Sequence, residues 1–179
     1  MSFGAVPIED GRVQLGAAVN GRVHPLRPMR EASIRVHGLR AADLADAPAL
    51  DVAIEPLLEA MAGRIPVVHV AAIERGFLRP ALRRQGLRLR APMIDTSVLG
   101  LVWLHERDGS GPRRISLGEL TGALGLPSHH PHDATGDALT TAQVFLALAT
   151  HLDARSPETV RHLVSANRRL ESLLAYPSR

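Results

Sequence analysis

Apolar residues at the start of the chain come in short runs that are separated by turn-forming pairs. Residues 3–8 are followed by Asp10-Gly11, and residues 13–19 are followed by Asn20-Gly21. Both pairs are typical of two-residue hairpin turns, because glycine accepts the positive φ that such turns need. We therefore predict three short antiparallel strands, the last ending near Pro25.

Beyond a Pro- and Arg-rich loop over residues 26–50, helical and strand-like patterns alternate. Apolar positions recur at helical spacing over residues 51–62, 73–85, 96–104, 117–124, 133–151 and 156–175. Short apolar runs at residues 65–70 and 92–95 suit strands. Hairpin strands followed by strands alternating with helices predict an α/β fold, with a mixed sheet flanked by helices.

Composition narrows the function classes. The 179 residues fit one domain, and the absence of cysteine excludes disulfides, thiolate nucleophiles and Cys-ligated zinc. All 21 basic residues are arginine, yet the net charge is only +3, which is a mild bias toward polyanions. Neither a membrane-length apolar run nor a signal peptide is found, so we expect a cytoplasmic protein without a membrane partner.

Ionisable residues follow the predicted strand at 65–70 and open the long helix near residue 133. Glu74 lies in the first turn of a helix at the carboxyl end of a strand, the edge of an α/β sheet where sites are built. Asp137 lies near the start of the long helix, with His132 in the loop before it. Taken singly, each has an ordinary interpretation: an acid in a first turn answers the helix dipole, and a loop histidine is solvated.

Three weaker features have both a functional and a structural interpretation. The neighbouring loop histidines could bind a metal, but are more often solvated: His129, His130 and His132. Four arginines could contact a phosphate backbone or form a solvated surface: Arg83, Arg84, Arg88 and Arg90. The last helix is expected to pack on the domain, with docking of a partner as the alternative.

Taken together, the two ionisable segments resemble two motifs of the DEDDh 3′–5′ exonucleases, the DnaQ-like family that includes the epsilon subunit of bacterial DNA polymerase III. His69-Val70-Ala71-x-x-Glu74-x-x-Phe77-Leu78 is similar to the family's His-Asn-Ala-x-Phe-Asp-x-x-Phe-Leu. His132-x-Ala134-x-x-Asp137-Ala138 is similar to its His-x-Ala-x-x-Asp-Ala. Ile94-Asp95-Thr96 resembles its Asp-Thr segment, and the resemblance spans residues 4–148. Glu74 and Val70 depart from the family's Asp and Asn.

This resemblance implies a ribonuclease H-like fold and a hydrolase with two divalent cations, Mg²⁺ or Mn²⁺. It implies a single-stranded or frayed 3′ end of DNA or RNA as substrate, released as nucleoside monophosphates, and leaves a DNA polymerase open as a partner. The implied roles are metal ligands for Glu74 and Asp137, catalytic base for His132, and nucleic-acid contacts for His69, Arg75 and Phe77.

The family's first motif, Asp-x-Glu-Thr-x-Gly, has no counterpart in this chain. In the family it lies on the central strand, just before the segment corresponding to Phe3. We therefore expect an exonuclease domain over residues 1–152 that is truncated at its N-terminus and lacks its first, central strand, followed by a packed C-terminal helix within residues 153–179. Two interpretations stay open. In the first, the start codon is misassigned or the chain is cut short, and hydrolysis by this chain is impaired. In the second, the protein is a catalytically degenerate module that binds nucleic acid or a polymerase partner.

Overall fold

The computed structural model of the chain describes residues 1–25, 28, 29, 31, 34, 38–109, 114–129, 133–154 and 159–164. The strands are β1 (Ser2–Ala5), β2 (Ile8–Glu9), β3 (Arg12–Val13), β4 (Val19–Arg22), β5 (Val67–Val68) and β6 (Ile94–Asp95). The helices are α1 (Leu50–Ala53), α2 (Glu55–Met61), α3 (Ala71–Arg84), α4 (Thr96–Asp108), α5 (Leu117–Ala123) and α6 (Ala134–Asp153). None of these helices is long and apolar enough to cross a membrane.

The first predicted hairpin turn is confirmed. β2 and β3 pair antiparallel on either side of it, with Ile8 opposite Val13. Asp10 and Gly11 have φ values of 49° and 71°, so both central residues are left-handed. That is the backbone of a type I′ turn, which Asp-Gly favours.

The second predicted turn is wrong. Asn20 and Gly21 lie inside β4, which pairs antiparallel with β1 and places Gly21 opposite Phe3. A Cβ on Gly21 would come within 2.4 Å of Cζ of Phe3, so glycine here makes room for the buried ring. The predicted strand over 13–19 is also wrong in part, because Leu15–Ala17 form a 3-10 helix.

The sheet is divided. β5 and β6 pair in parallel across the α3 connection, while β1 pairs with β4. In the described part of the chain no ladder joins these two pairs, although α6 packs against both β1 and β5. The α/β class is as predicted, and the division falls where the sequence predicts a missing central strand.

Two apolar cores lie on opposite faces of β6. Met93 belongs to the first core, with residues from β1, α1, α2 and α3, whereas Ile94 belongs to the second, with residues from α4, α5 and α6. Adjacent residues of an extended strand point to opposite faces, which accounts for helices on both sides. Leu163 and Val164 are buried in the second core. They belong to the predicted C-terminal helix, of which residues 155–158 and 165–179 lie outside the described part of the structure.

The bounds of three helices reflect local residues that divide, end or begin a helix. The helix predicted over 51–62 is divided into α1 and α2 at Ile54, two residues before Pro56. α4 continues to Asp108 and ends at Gly109, whose φ of 72° suits glycine at a helix end. α5 begins as a capping box, in which Ser116 and Glu119 bond to each other's backbone N–H groups.

Candidate functional site

The turn between β5 and α3 is strained and sharp. Val70 has φ 65° and ψ 72°, a left-handed backbone conformation, and α3 starts at the next residue. This conformation costs an L-residue about 1–2 kcal/mol, and a β-branched side chain suits it poorly. The turn places Glu74 in the first turn of α3, close to the end of β5.

The buried carboxylate of Asp95 holds that turn in place. Its Oδ1 accepts hydrogen bonds from the backbone N–H of Val70 at 3.0 Å and of Ser97 at 2.9 Å. The Ser97 hydroxyl donates to the same oxygen at 2.6 Å, and Oδ2 accepts from the N–H of Ala71 at 2.7 Å. One carboxylate at the end of β6 therefore satisfies backbone donors at the starts of both α3 and α4.

Sequence reasoning gave Asp95 no role beyond its resemblance to the family's Asp-Thr segment. The available signal was an Asp directly after an apolar strand and two residues before Ser97, a pattern typical of a helix N-cap. The contact to Val70 and Ala71, 25 and 24 residues away along the chain, has no local signal. It follows from the parallel pairing of β5 with β6.

His69 is anchored by both nitrogens of its ring. Nδ1 lies 2.9 Å from Oγ1 of Thr96, and Nε2 lies 3.2 Å from the carbonyl oxygen of Ile115. Because a carbonyl only accepts, Nε2 donates to Ile115. Burial lowers the pKa of His69, against the opposing influence of the Asp95 and Asp137 charges and the Ile115 carbonyl. The expected contact of His69 with nucleic acid stays a prediction.

Glu74 is half-buried, and this burial raises the pKa of its carboxyl group. A raised pKa means that a proton competes more strongly with a cation for the carboxylate oxygens. Arg75 is also half-buried, and Phe77 packs partly against the first core. Ile73, which sequence reasoning did not single out, is 66% exposed beside Glu74. The roles expected for Glu74, Arg75 and Phe77 stay predictions.

Asp137 lies in the first turn of α6, which is capped by Asp133. The Asp133 side chain accepts from the N–H of Gly136 at 2.9 Å. β1 lies directly against this helix start, since a Cβ on Gly4 would come within 2.5 Å of the Ala134 carbonyl oxygen. Asp137 is also close enough to His69 for its charge to raise the pKa of that ring. Asp137 therefore lies near the carboxyl end of β5, from which α3 and Glu74 depart.

His132, the predicted base, lies outside the described residues, as does His130. The third histidine of that loop is described: the Nε2 of His129 lies 2.9 Å from Oε1 of Gln143 on α6. His129 is thus held against the long helix. The role of His132 stays a prediction.

The donors available for a metal are of the right chemical kind, but they are few. Glu74 and Asp137 offer hard carboxylate oxygens, which Mg²⁺ and Mn²⁺ prefer. Among the residues that the structure describes, no group of three or more His, Asp or Glu could hold a metal ion. These residues alone therefore do not fit a complete site for two cations.

Comparison with known proteins finds relatives that agree with the family resemblance seen in the sequence. Residues 1–145 match the model of the RNase T family, described as exonuclease. Over 161 residues the chain is 34% identical to a DNA polymerase III subunit epsilon-like protein of Rhodobacter capsulatus, covering 89% of this chain and 22% of that protein. Over 147 residues it is 30% identical to the PolC-type DNA polymerase III of Thermotoga petrophila, covering 82% and 10%. The chain thus spans less than a quarter of these relatives.

A solved structure of exonuclease X in complex with 5′ overhanging duplex DNA is similar in fold. The TM-score is 0.68, with 19% sequence identity, over 93% of this chain and 89% of that one. At this identity the likeness concerns the fold alone. It confirms the ribonuclease H-like architecture that the sequence predicted.

Proposed function

Because this chain belongs to the RNase T exonuclease family, in agreement with the DnaQ-like resemblance of its sequence, we propose that it is a 3′–5′ exonuclease. It hydrolyses phosphodiester bonds at the 3′ end of a strand and releases nucleoside monophosphates. The observation that carries this proposal is the placement of Glu74 and Asp137 in the first turns of α3 and α6, near the carboxyl end of β5.

The proposal includes two divalent cations, Mg²⁺ or Mn²⁺, with Glu74 and Asp137 among their ligands. Such ions supply activation of water and neutralisation of phosphate charge. His132 takes the proton of the attacking water. Because two carboxylates hold two cations weakly, we expect slow hydrolysis unless further acidic residues join them.

The substrate that we propose is a single-stranded or frayed 3′ end, of DNA rather than RNA. Exonuclease X is described in complex with 5′ overhanging duplex DNA, and the relatives in Rhodobacter and Thermotoga are described as a DNA polymerase III subunit epsilon-like protein and a PolC-type DNA polymerase III. These descriptions also support a DNA polymerase as a partner. The nucleobase at the 3′ end would meet Ile73, the exposed apolar side chain beside Glu74.

The direct test is digestion of a 20-nucleotide single strand carrying fluorescein at its 5′ end, with Mn²⁺. A 3′–5′ exonuclease gives labelled products that shorten one nucleotide at a time. Asp137→Asn is expected to abolish the ladder. Asp153→Asn is the matched control, because it changes the same helix about 24 Å away along its axis.

Two results would count against the proposal. If labelled mononucleotide appears first, the direction is 5′–3′. If the strand stays intact at every Mn²⁺ concentration while the protein still binds it, the chain is the catalytically degenerate nucleic-acid-binding module.

A further inference from the structure

Positive charge is concentrated in one segment of the chain. Between Glu74 and Asp95 there are six arginines and no Asp or Glu, although the net charge of the whole chain is only +3. The rest of the chain is therefore net negative. Five of the six arginines are exposed, and we call them the α3 arginine surface: Arg79, Arg83, Arg84, Arg88 and Arg90.

The fold keeps these side chains in solvent. α3 buries Ala71, Leu78, Ala81 and Leu82 against the first core. Arg79 and Arg83, one helical turn apart, lie on the other side of the helix. After the helix, Arg88 and Arg90 flank Leu89, which packs partly against the first core, and both stay exposed.

Within the described residues, no hydrogen bond or ion pair is found for the guanidinium groups of this surface. Side-chain ion pairs between Arg64 and Glu9 and between Arg107 and Asp108 lie elsewhere in the described part of the chain. Like charges one turn apart on a helix repel each other. The arginine surface therefore does not stabilise the isolated fold through pairing, and an external polyanion would relieve its repulsion.

We infer that the α3 arginine surface binds the phosphate backbone of the polynucleotide whose 3′ end reaches Glu74. The inference rests on the proposed function, which places that end at the start of the same helix. A guanidinium group can donate two hydrogen bonds to the oxygens of one phosphate. Neutralising phosphates also releases condensed counterions, which favours binding. Arg79 and Arg83 lie five and nine residues beyond Glu74, about 7.5 Å and 13.5 Å along the helix axis, and Arg83 is on the opposite face of α3 because nine residues make about two and a half turns. A strand that starts at Glu74 therefore passes Arg79 and curves around α3 before it meets Arg83; at a stacked spacing of about 3.4 Å per nucleotide this path is longer than four nucleotides.

The test is binding of 5′-fluorescein-labelled deoxythymidine strands of 4 to 20 nucleotides, followed by fluorescence anisotropy in EDTA. The double variant Arg79→Gln/Arg83→Gln removes two charges and keeps a good helix former at both positions. Arg12→Gln/Arg40→Gln is the charge-matched control, because both arginines are exposed and lie outside the α3 arginine surface. Thermal melts of both variants establish that they fold.

The logarithm of the affinity falls linearly with the logarithm of the salt concentration, and we call the steepness of this fall the salt slope. For the 20-mer, each arginine that contacts a phosphate contributes about 0.7 to the salt slope, or about five-fold in affinity at 0.1 M salt. We expect the α3 double variant to bind the 20-mer about 25-fold more weakly, with a slope smaller by about 1.4. The 4-mer should bind only about five-fold more weakly, because it reaches Arg79 but ends before Arg83. The Arg12/Arg40 control should bind both strands as the wild type does.

Three outcomes would overturn the inference: an unchanged affinity for the 20-mer, an equal loss for the 4-mer and the 20-mer, or an equal loss in the control. The first of these would instead favour an acidic protein as the partner of this surface. Since the measurement needs no hydrolysis, a chain that binds DNA through these arginines but never cleaves it would refute only the proposed function.

Discussion

The carboxylate of Asp95 holds the backbone of Val70 in its left-handed conformation, with the Val70 N–H donating to Oδ1 at 3.0 Å. The same carboxylate accepts from Ala71, the first residue of α3. Because α3 carries Glu74 in its first turn, the position of this carboxylate depends on Asp95. Asp95, at the end of β6, thus orients a candidate site residue on α3, the helix that follows the neighbouring strand β5.

Asp95→Asn should destabilise the fold strongly. The substitution replaces one of the two accepting oxygens by an NH₂ group that faces a backbone donor. Hydrogen bonds to a buried charged group contribute about 1.5–3 kcal/mol each, so we expect a loss of about 3 kcal/mol. The melting temperature should fall by roughly 6–12 °C. Asp108→Asn, at an exposed site bonded to its neighbour Arg107, should leave it unchanged; an equal fall there would contradict the assignment.

Val70→Asn should stabilise the protein. Asparagine tolerates the left-handed region better than valine, because its short polar side chain can bond to the local backbone. We expect a gain of about 1 kcal/mol, or roughly 2–4 °C in melting temperature. Val70→Thr is the control, since threonine keeps the β-branch and the strain. If both variants melt alike, the backbone at this position is not under strain.

The residues that sequence reasoning placed well are those with local signals. The Asp10-Gly11 turn and the first-turn position of Glu74 depend on neighbours within a few residues. Asn20-Gly21 carries the same local signal as Asp10-Gly11, yet it lies in a strand. There the decisive contact is between Gly21 and the ring of Phe3, 18 residues earlier. Local sequence patterns do not indicate a contact between residues so far apart in the chain.

Contacts between elements were predictable only through the family resemblance. The spacing of Glu74 and Asp137 matched two motifs, but the clamp from Asp95 onto Val70 needs the parallel pairing of β5 and β6. Likewise, nothing near Gly4 indicates that it lies against Ala134. Such contacts arise from chain topology, which the pattern of apolar residues constrains only to a class of folds.

Gly4→Ala should separate β1 from the start of α6. The added Cβ would lie 2.5 Å from the Ala134 carbonyl oxygen and 2.8 Å from the backbone nitrogen of Thr135. Backbone atoms cannot rotate away, so we expect a loss of about 1–3 kcal/mol in unfolding free energy, measured by urea denaturation. Gly16→Ala is the control, because a Cβ there meets nothing within 4 Å. Equal effects of the two substitutions would show that packing of Gly4 is unimportant.

Glu74→Gln should make the metal-free protein more stable at pH 8 than the wild type. Burial raises the pKa of Glu74 above its ordinary value of 4.5, so the folded chain holds this proton to higher pH than the unfolded chain does. The wild type therefore loses stability as the pH rises through the window that starts near 4.5 and ends at the raised pKa. Melting temperatures in EDTA should show the advantage of the variant shrinking as the pH falls toward that value. Addition of Mn²⁺ at pH 8 should reverse the order, because a ligand stabilises the form that binds it. If the variant were more stable than the wild type by the same amount at every pH, burial of the ionised Glu74 carboxylate would not be what destabilises the wild type.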